Sequence, residues 1–359
     1  MVKTKPTVDF VFNGQPTGDV ASRLMQCGFD PRCLRPYIGD DGRTYITSNV
    51  NGKLVAHPVG NATATLRKDD WKHLDDAIIK VSQPRLKAVG DLRAAGLTYT
   101  IPNGMGKTVL ETETMSDIND ASVSMDGLRP NANDRPVFEL TNLPLPIIHK
   151  DFSFSARQVQ ASRNGGSPLD TTMAELAARK VAEEAEKLLL GVSAVANLYN
   201  FGGGILYGYT NFISRMTRTI TSPVAAGWTG ATLLADVLAM RTQSQNAFHY
   251  GPWVLYVAPA WDQYIDNDFK AASDKTIRNR IKECEGINDI RTLDYLTGFD
   301  MLLVQMTSDV VREVIAMDMT TLQWDTIGGL MLNFKVMAIL VPQLRADQNG
   351  NTGIVHGTV

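Results

Sequence analysis

The sequence predicts an α+β fold, and three observations carry that prediction. One long amphipathic helix is written into residues 172–190. Apolar strands recur without a strict βαβ alternation, and two long stretches are too polar and breaker-rich to own a core. With 359 residues, the chain has room for two or three domains or one elaborate one. Apolar residues at 44% and charged residues at 20% exclude wholesale disorder.

Residues 1–66 read as an arm, because turn signals crowd it from Asn13-Gly14 to His57-Pro58. Within it, Asn51-Gly52 joins Thr44–Val50 to Lys53–His57 as a two-residue hairpin. Two short strands do not stand alone in water, so other chain must cover them. Residues 67–96 carry Trp71, Leu74, Ile78 and Val81 at helical spacing, with a break at Pro84. Leu86, Val89 and Leu92 continue the stripe, and Gly96 ends it.

From Leu97 to about Asn142 the pattern turns extended. Thr98–Ile101 reads as a strand, Pro102–Gly106 as a turn, and Thr108–Met115 and Val137–Leu140 as the strands of a long projecting hairpin. Glu111 and Glu113 share one face and Thr112 and Thr114 the other, so neither face can found a core. Ordered ribbons of this length are uncommon unless something binds them.

Phe152 and Phe154 alternate with Ser153 and Ser155 as a half-buried strand, and a short helical stretch from Ala156 stops at Asn164-Gly165-Gly166. In the long helix, Met173, Ala177, Val181, Ala185 and Leu189 form the expected buried stripe, with Leu176 and Leu188 beside it. Arg179, Lys180, Glu183, Glu184, Glu186 and Lys187 are expected on the other face, toward solvent or another subunit. Beyond a Gly202–Gly204 turn, helices are expected near 233–245, 260–266 and 275–283. Strands are expected at 253–257, 301–306, 312–317 and 330–341.

Chemistry is sparse. Thirty-five Lys and Arg against 38 Asp and Glu give a net charge of −3, without the basic surplus that phosphate neutralisation uses. Lys3 and Lys5 are followed by Pro6 and Asp9 rather than an apolar run, and Val336–Val341 is far short of a membrane span. A soluble protein without a secretory or membrane address is expected. Cys27, Cys33 and Cys284 are too few for a disulfide framework and are expected as free thiols; a zinc site would need ligands from another chain. His57, His73, His149, His249 and His356 show no metal spacing. Gly104-Met105-Gly106-Lys107-Thr108 has the ending of a phosphate loop, but Ile101 stands where its first glycine belongs, and a strand follows instead of a helix. No catalytic set, cofactor site or metal site is expected, and an NTPase acting through Lys107 is the remote alternative.

The block 143–191 resembles the major capsid proteins of tailed bacteriophages with the Hong-Kong-97-type fold and the related encapsulin shell proteins. The resemblance rests on Pro144-Leu145-Pro146, Lys150-Asp151-Phe152, Gly165-Gly166, Pro168-Leu169-Asp170 and Ala177-Ala178-Arg179-Lys180. It extends to Gly251–Val257, Pro259, Tyr264 and the strand Leu302–Gln305, so that it covers 143–345. It implies an N-terminal arm at 1–66, an arm-associated helix at 67–96 and an extended loop with its base strands at 97–157. It further implies a peripheral domain at 158–248 with a spine helix at 172–190, and an axial domain at 249–334. A return strand to the peripheral domain and a C-terminal tail follow at 335–359.

The function implied is a structural one. Pentamers and hexamers would build an icosahedral virion capsid around double-stranded DNA, contacted non-specifically, with assembly in the host cytoplasm. Portal and scaffold or decoration proteins would be further partners. The alternative within the same fold is an encapsulin shell enclosing a cargo enzyme.

Overall fold

The computed structural model describes residues 11–12, 15–16, 37–39, 43–50, 53–59, 74, 76–78, 87–115, 123, 125, 135, 138–159, 172–192, 199–270, 275–326, 330–347 and 349–359. Residues 1–66 contain β1 (Val11–Phe12), β2 (Gln15–Pro16), β3 (Tyr37–Ile38), β4 (Thr44–Val50) and β5 (Lys53–Val59). Val50 pairs with Lys53, the register expected for a hairpin closed by Asn51-Gly52, a connection that itself lies outside the described residues.

In the next block Leu74 and Ile78 are helical and buried, as their spacing predicts; Trp71, Val81, Pro84 and Leu86 lie outside the described residues. Helix α1 (Lys87–Ala94) then buries Ala88, Val89 and Leu92. It stops at Gly96, whose φ of 72° only glycine adopts freely. The Leu97 amide donates to the Leu92 carbonyl and the Gly96 amide to the Arg93 carbonyl, the pairing that ends a helix on a left-handed residue.

The chain continues through β6 (Thr98–Thr100), a tight turn at Gly104–Gly106, β7 (Val109–Met115), β8 (Phe138–Pro144) and β9 (Ile148–Ser155). Helix α2 (Thr172–Leu190) spans the 19 residues its periodicity predicts, followed by β10 (Tyr199–Phe201) and β11 (Gly204–Leu206). Next come β12 (Met216–Thr219), α3 (Gly230–Asn246), β13 (Trp253–Val257), α4 (Asp262–Ile265) and α5 (Ile277–Lys282). The last strands are β14 (Ile287–Thr292), β15 (Met301–Gln305), β16 (Val311–Thr326), β17 (Met331–Leu344) and β18 (Ile354–Thr358).

Two sheets carry the body. A four-stranded sheet has the order β6-β16-β17-β9, and a five-stranded sheet the order β12-β18-β15-β13-β14. Within the first, Phe152 and Phe154 of β9 pack with Phe334 of β17, their ring centroids 5.2–5.7 Å apart. Helix α2 lies across β9 and β17. Within the second, β13 and β15 are buried along their whole length, as strands covered on both faces must be.

The structure corrects several expectations. The boundaries 158–248, 249–334 and 335–359 do not follow sheet membership. β12 lies before residue 249 and β18 after 335, yet both belong to the five-stranded sheet, while β17 runs unbroken across 334/335. The C-terminal segment is therefore an interior strand: β18 pairs parallel with β12 and antiparallel with β15. The strands expected at 312–317 and 330–341 are longer, because β16 and β17 form one ribbon with register shifts at Ile315/Met317 and Met317/Thr320. Such bulges interrupt the alternation from which a strand is read while keeping its pairing.

Helix α2 is buried over a wider arc than its stripe implies. Met173 and Leu176 are exposed, whereas Ala174, Ala178, Ala182, Glu183 and Glu186 are buried. The reason is a second covering surface: the sheet packs on one side of α2 and α1 on another. Val181, 1% exposed, keeps its expected place in the core. Val181→Asp therefore puts a carboxylate into apolar packing at a cost of several kcal/mol, comparable with the stability of a whole domain. Insoluble or degraded protein is expected, while Val181→Ala remains soluble and loses only about 1–3 kcal/mol by thermal melting.

Candidate assembly surfaces and a buried carboxylate junction

The segment that mimics a phosphate loop is structural. Asn103 sits in the left-handed region, Gly104–Gly106 form the turn, and Lys107 is extended and exposed, leading into β7 rather than into a helix. The segment after Lys107 and Thr108 is a strand, whereas a phosphate loop leads into a helix whose first amides hold the phosphate. Gly104 has a different reason to be glycine. A Cβ on it would lie 2.1 Å from the Ala316 carbonyl oxygen, at the bulge in β16.

From this turn β7 and β8 project as a two-stranded ribbon, with Thr112 opposite Thr141 and their hydroxyls 2.8 Å apart. Its base is closed by one backbone bond between its own strands and tied to the body at two points. The Leu145 amide donates to the Thr108 carbonyl, Asn142 Nδ2 to the Gly202 carbonyl, and Gln343 Nε2 reaches Thr112 Oγ1. The expected Gly202–Gly204 turn packs on this base, with φ of 61° and 77° at Gly202 and Gly203. A Cβ on Gly204 would come within 2.0 Å of the Asn142 carbonyl. Beside the base lies a hollow of about 620 Å³ lined in part by Leu143, Tyr207, Phe212, Ile213 and Arg345.

Further out, Glu113 faces Leu140, and Phe138 lies on the same side as Leu140, 59% and 55% exposed. Sequence reading saw the glutamates of β7. That Leu140 stands opposite Glu113, with Phe138 opposite Met115, emerges only from the strand pairing.

A charged junction lies inside the body, where α1, α2 and both sheets meet. Glu186, 2% exposed, was expected to face solvent or another subunit. Instead its Oε1 accepts from the Ala88 amide at 2.7 Å and its Oε2 from the Val89 amide at 3.3 Å. The carboxylate thus satisfies first-turn N–H groups of α1, whose own first turn holds no acidic residue. Burial pushes the Glu186 carboxyl up to about 7, against the opposing pull of those two amides.

Around it, Asp91 accepts from the Tyr256 hydroxyl at 3.1 Å and pairs with Arg291 at 3.0 Å; burial raises its pKa despite both. Arg93 grips Glu313 with Nε and Nη2 at 2.8 and 3.0 Å. Lys87 pairs with Asp294 at 3.0 Å. Tyr209 is fully buried, its hydroxyl lacking a hydrogen-bond partner among the described residues.

The remaining candidates do not converge. His149 Nδ1 is 3.7 Å from Asp151, on a strand edge shared with Lys335. His356 lies buried on β18, 3.8 Å from Asp300. Glu183 pairs with Lys180 and Arg179 within its own helix. Cys284 is a free, half-buried thiol, and Cys27, Cys33 and His73 lie outside the described residues. No group of three metal-ligating side chains occurs among the described residues.

A spine-like helix on a four-stranded sheet, a second five-stranded sheet and a projecting ribbon together make the Hong-Kong-97-type shell fold. The chain superposes on the virus-like particle protein from Pyrococcus furiosus with a TM-score of 0.57 and 16% identity, over 80% of this chain and 99% of that one. On the capsid of Myoviridae phage XM1 the TM-score is 0.56 with 10% identity, over 70% and 86% of the two chains. In sequence it is 26% identical over 245 residues to the type 1 encapsulin shell protein EncA of Myxococcus xanthus (strain DK1622), covering 67% of this chain and 73% of that protein. These likenesses support a capsid or encapsulin shell protein. Residues 61–357 match the family described as "Family of unknown function (DUF6260)", and the chain belongs to that family.

The junction yields a stability test. Arg93→Ala leaves the Glu313 carboxylate, 3% exposed, without its partner and lowers unfolding free energy by about 2–4 kcal/mol. Adding Glu313→Leu removes the stranded charge and recovers part of that loss in urea titration. A double variant no more stable than Arg93→Ala alone would contradict this account.

Proposed function

We propose that this protein is the subunit of a self-assembling icosahedral shell, and in particular the major capsid protein of a tailed bacteriophage. One observation carries the reading: the β7–β8 ribbon is pinned at its base yet leaves Phe138 and Leu140 in solvent. A ribbon that cannot bury its own apolar residues finds its cover on another subunit, and its order is then linked to assembly. In this reading, residues 1–66 serve as the arm and 97–157 as the loop reaching over a neighbour. Helix α2 and the four-stranded sheet form the peripheral part, and the five-stranded sheet with α3 the axial part around five- and six-fold centres. Double-stranded DNA is the cargo, held without sequence preference by a chain of near-neutral charge. Portal and scaffold or decoration proteins complete the virion head, which assembles in the host cytoplasm. The chain performs no catalysis.

The 26% identity to an encapsulin favours a second reading, a closed shell around a cargo enzyme. Particles purified from the native source separate the two. Heads containing double-stranded DNA and bearing a tail vertex support the first, and uniform shells filled with one enzyme support the second. A protein that stays monomeric at high concentration overturns both.

Thr112 and Thr141 face each other, so Asn-Gly in place of residues 113–140 closes a shortened hairpin without touching its base. This variant is expected to remain soluble with an unchanged far-UV signal and to form no shells by electron microscopy. Shells of normal size from it would remove the ribbon from the assembly interface.

A further inference from the structure

The Glu186 junction has a property that packing alone does not require. Helix α1 has eight residues, too short to persist without tertiary support. It nevertheless makes polar contacts with both sheets. It rests on α2 and β16, grips β16 through Arg93–Glu313, reaches β13 and β14 through Asp91, and meets Asp294 through Lys87. Its first turn is held by a buried carboxylate from an element 98 residues away.

Among the described residues that carboxyl group accepts from amides and makes no ion pair of its own. Lys87 on α1 is exposed and engaged by Asp294, and Arg93 is engaged by Glu313 and Asp318. From β14, Arg291 is divided between Asp91 and Asp289. On α2 itself, Lys187 meets Glu184 and lies over the Tyr295 ring. The other groups that act on this site are acidic or phenolic: Asp91 on α1, Tyr209 from the 207–215 segment, Tyr256 on β13 and Glu313 on β16. An ionised Glu186 is thus a desolvated charge beside a second carboxylate, held by two N–H groups. A protonated Glu186 keeps a carbonyl oxygen for the 2.7 Å bond from Ala88 and gives up only the longer one.

We propose that Glu186 is a proton-controlled latch on α1: protonated, it keeps the helix docked between the two sheets, and ionised, it loosens that docking. The direction follows from linkage. Docked, the carboxyl holds its proton up to about pH 7, whereas freed into water it loses it near 4.5. Docking is therefore firmest below about 4.5, weakens as pH rises through the interval to about 7, and changes no further above it. The width of the interval caps the effect at about 300-fold in the docking equilibrium. Loosening α1 weakens the polar bonds it makes to β16 of one sheet and to β13 and β14 of the other. The latch is a property of the subunit and does not rest on the shell reading.

Amide hydrogen exchange on the full chain, corrected for the intrinsic pH dependence, reads the docking directly. From about pH 5.5 to about pH 8, protection of the α1 amides is expected to fall about 10- to 100-fold, with β13 amides unaffected. In Glu186→Gln, which keeps one acceptor oxygen and cannot ionise, the fall should shrink below about threefold. Histidine contributions are common to both proteins and cancel in the comparison. Equal pH dependence in the two, or none in the parent protein, overturns the latch. Should the variant fail to fold, the carbon-13 carboxyl shift of Glu186 in the parent protein decides: a midpoint above about 6 supports the proposal, and one near the free value overturns it.

Discussion

The interaction around which the junction is built is the carboxyl group of Glu186 on the amides of Ala88 and Val89. A helix end buried without acceptors is costly, and the first turn of α1 is buried with no acidic residue of its own. Because α2 supplies the acceptor, α1 can be short and still hold a fixed pose. From that pose its remaining polar side chains reach outward in three directions, to β16, to β13 and β14, and to Asp294. Each of these bonds is modest by itself. Together they link α1 to both sheets.

This arrangement is tense, since buried carboxylates resist ionisation. Glu186, Asp91 and Glu313 are all pushed toward the neutral form by burial, and only Glu313 has a two-pronged cationic partner. A purely apolar junction would avoid that cost but would also lose the directional bonds that set its geometry. The ribbon shows the opposite arrangement: polar anchoring to the body at Thr112 and Asn142, and apolar side chains left uncovered beyond them. In the proposed shell, the rigid junction and the uncovered ribbon are complementary, one giving the subunit its shape and the other its contact with a neighbour.

Much of the fold was legible where the pattern is local. Helix α2 came out at its observed ends because its apolar residues repeat every three to four positions across five turns. The strand Trp253–Val257, the Phe152/Phe154 alternation and the register around Asn51-Gly52 were likewise readable from neighbouring residues. The phosphate-loop likeness failed on Ile101 and on the strand after Lys107, and the structure adds why Gly104 is there at all: the Ala316 backbone leaves no room for a Cβ. The short strands Met216–Thr219, Ile287–Thr292 and Ile354–Thr358 were missed, because each is brief and partly polar and becomes a strand by joining a sheet already formed.

By itself, then, the sequence determined the α+β class, the long helix, the alternating strands and a ribbon unable to cover itself. Tertiary structure alone decided that Glu183 and Glu186 turn inward, that the C-terminal segment becomes an interior strand, and that a bulge meets a glycine. The physical reason is range. Periodicity is set by residues two to four positions apart, whereas Glu186 meets Ala88 across 98 residues and β18 joins β12 from the far end of the chain. A glutamate on an amphipathic helix looks solvated until a second helix arrives with unsatisfied amides, and nothing near it in the chain announces that arrival.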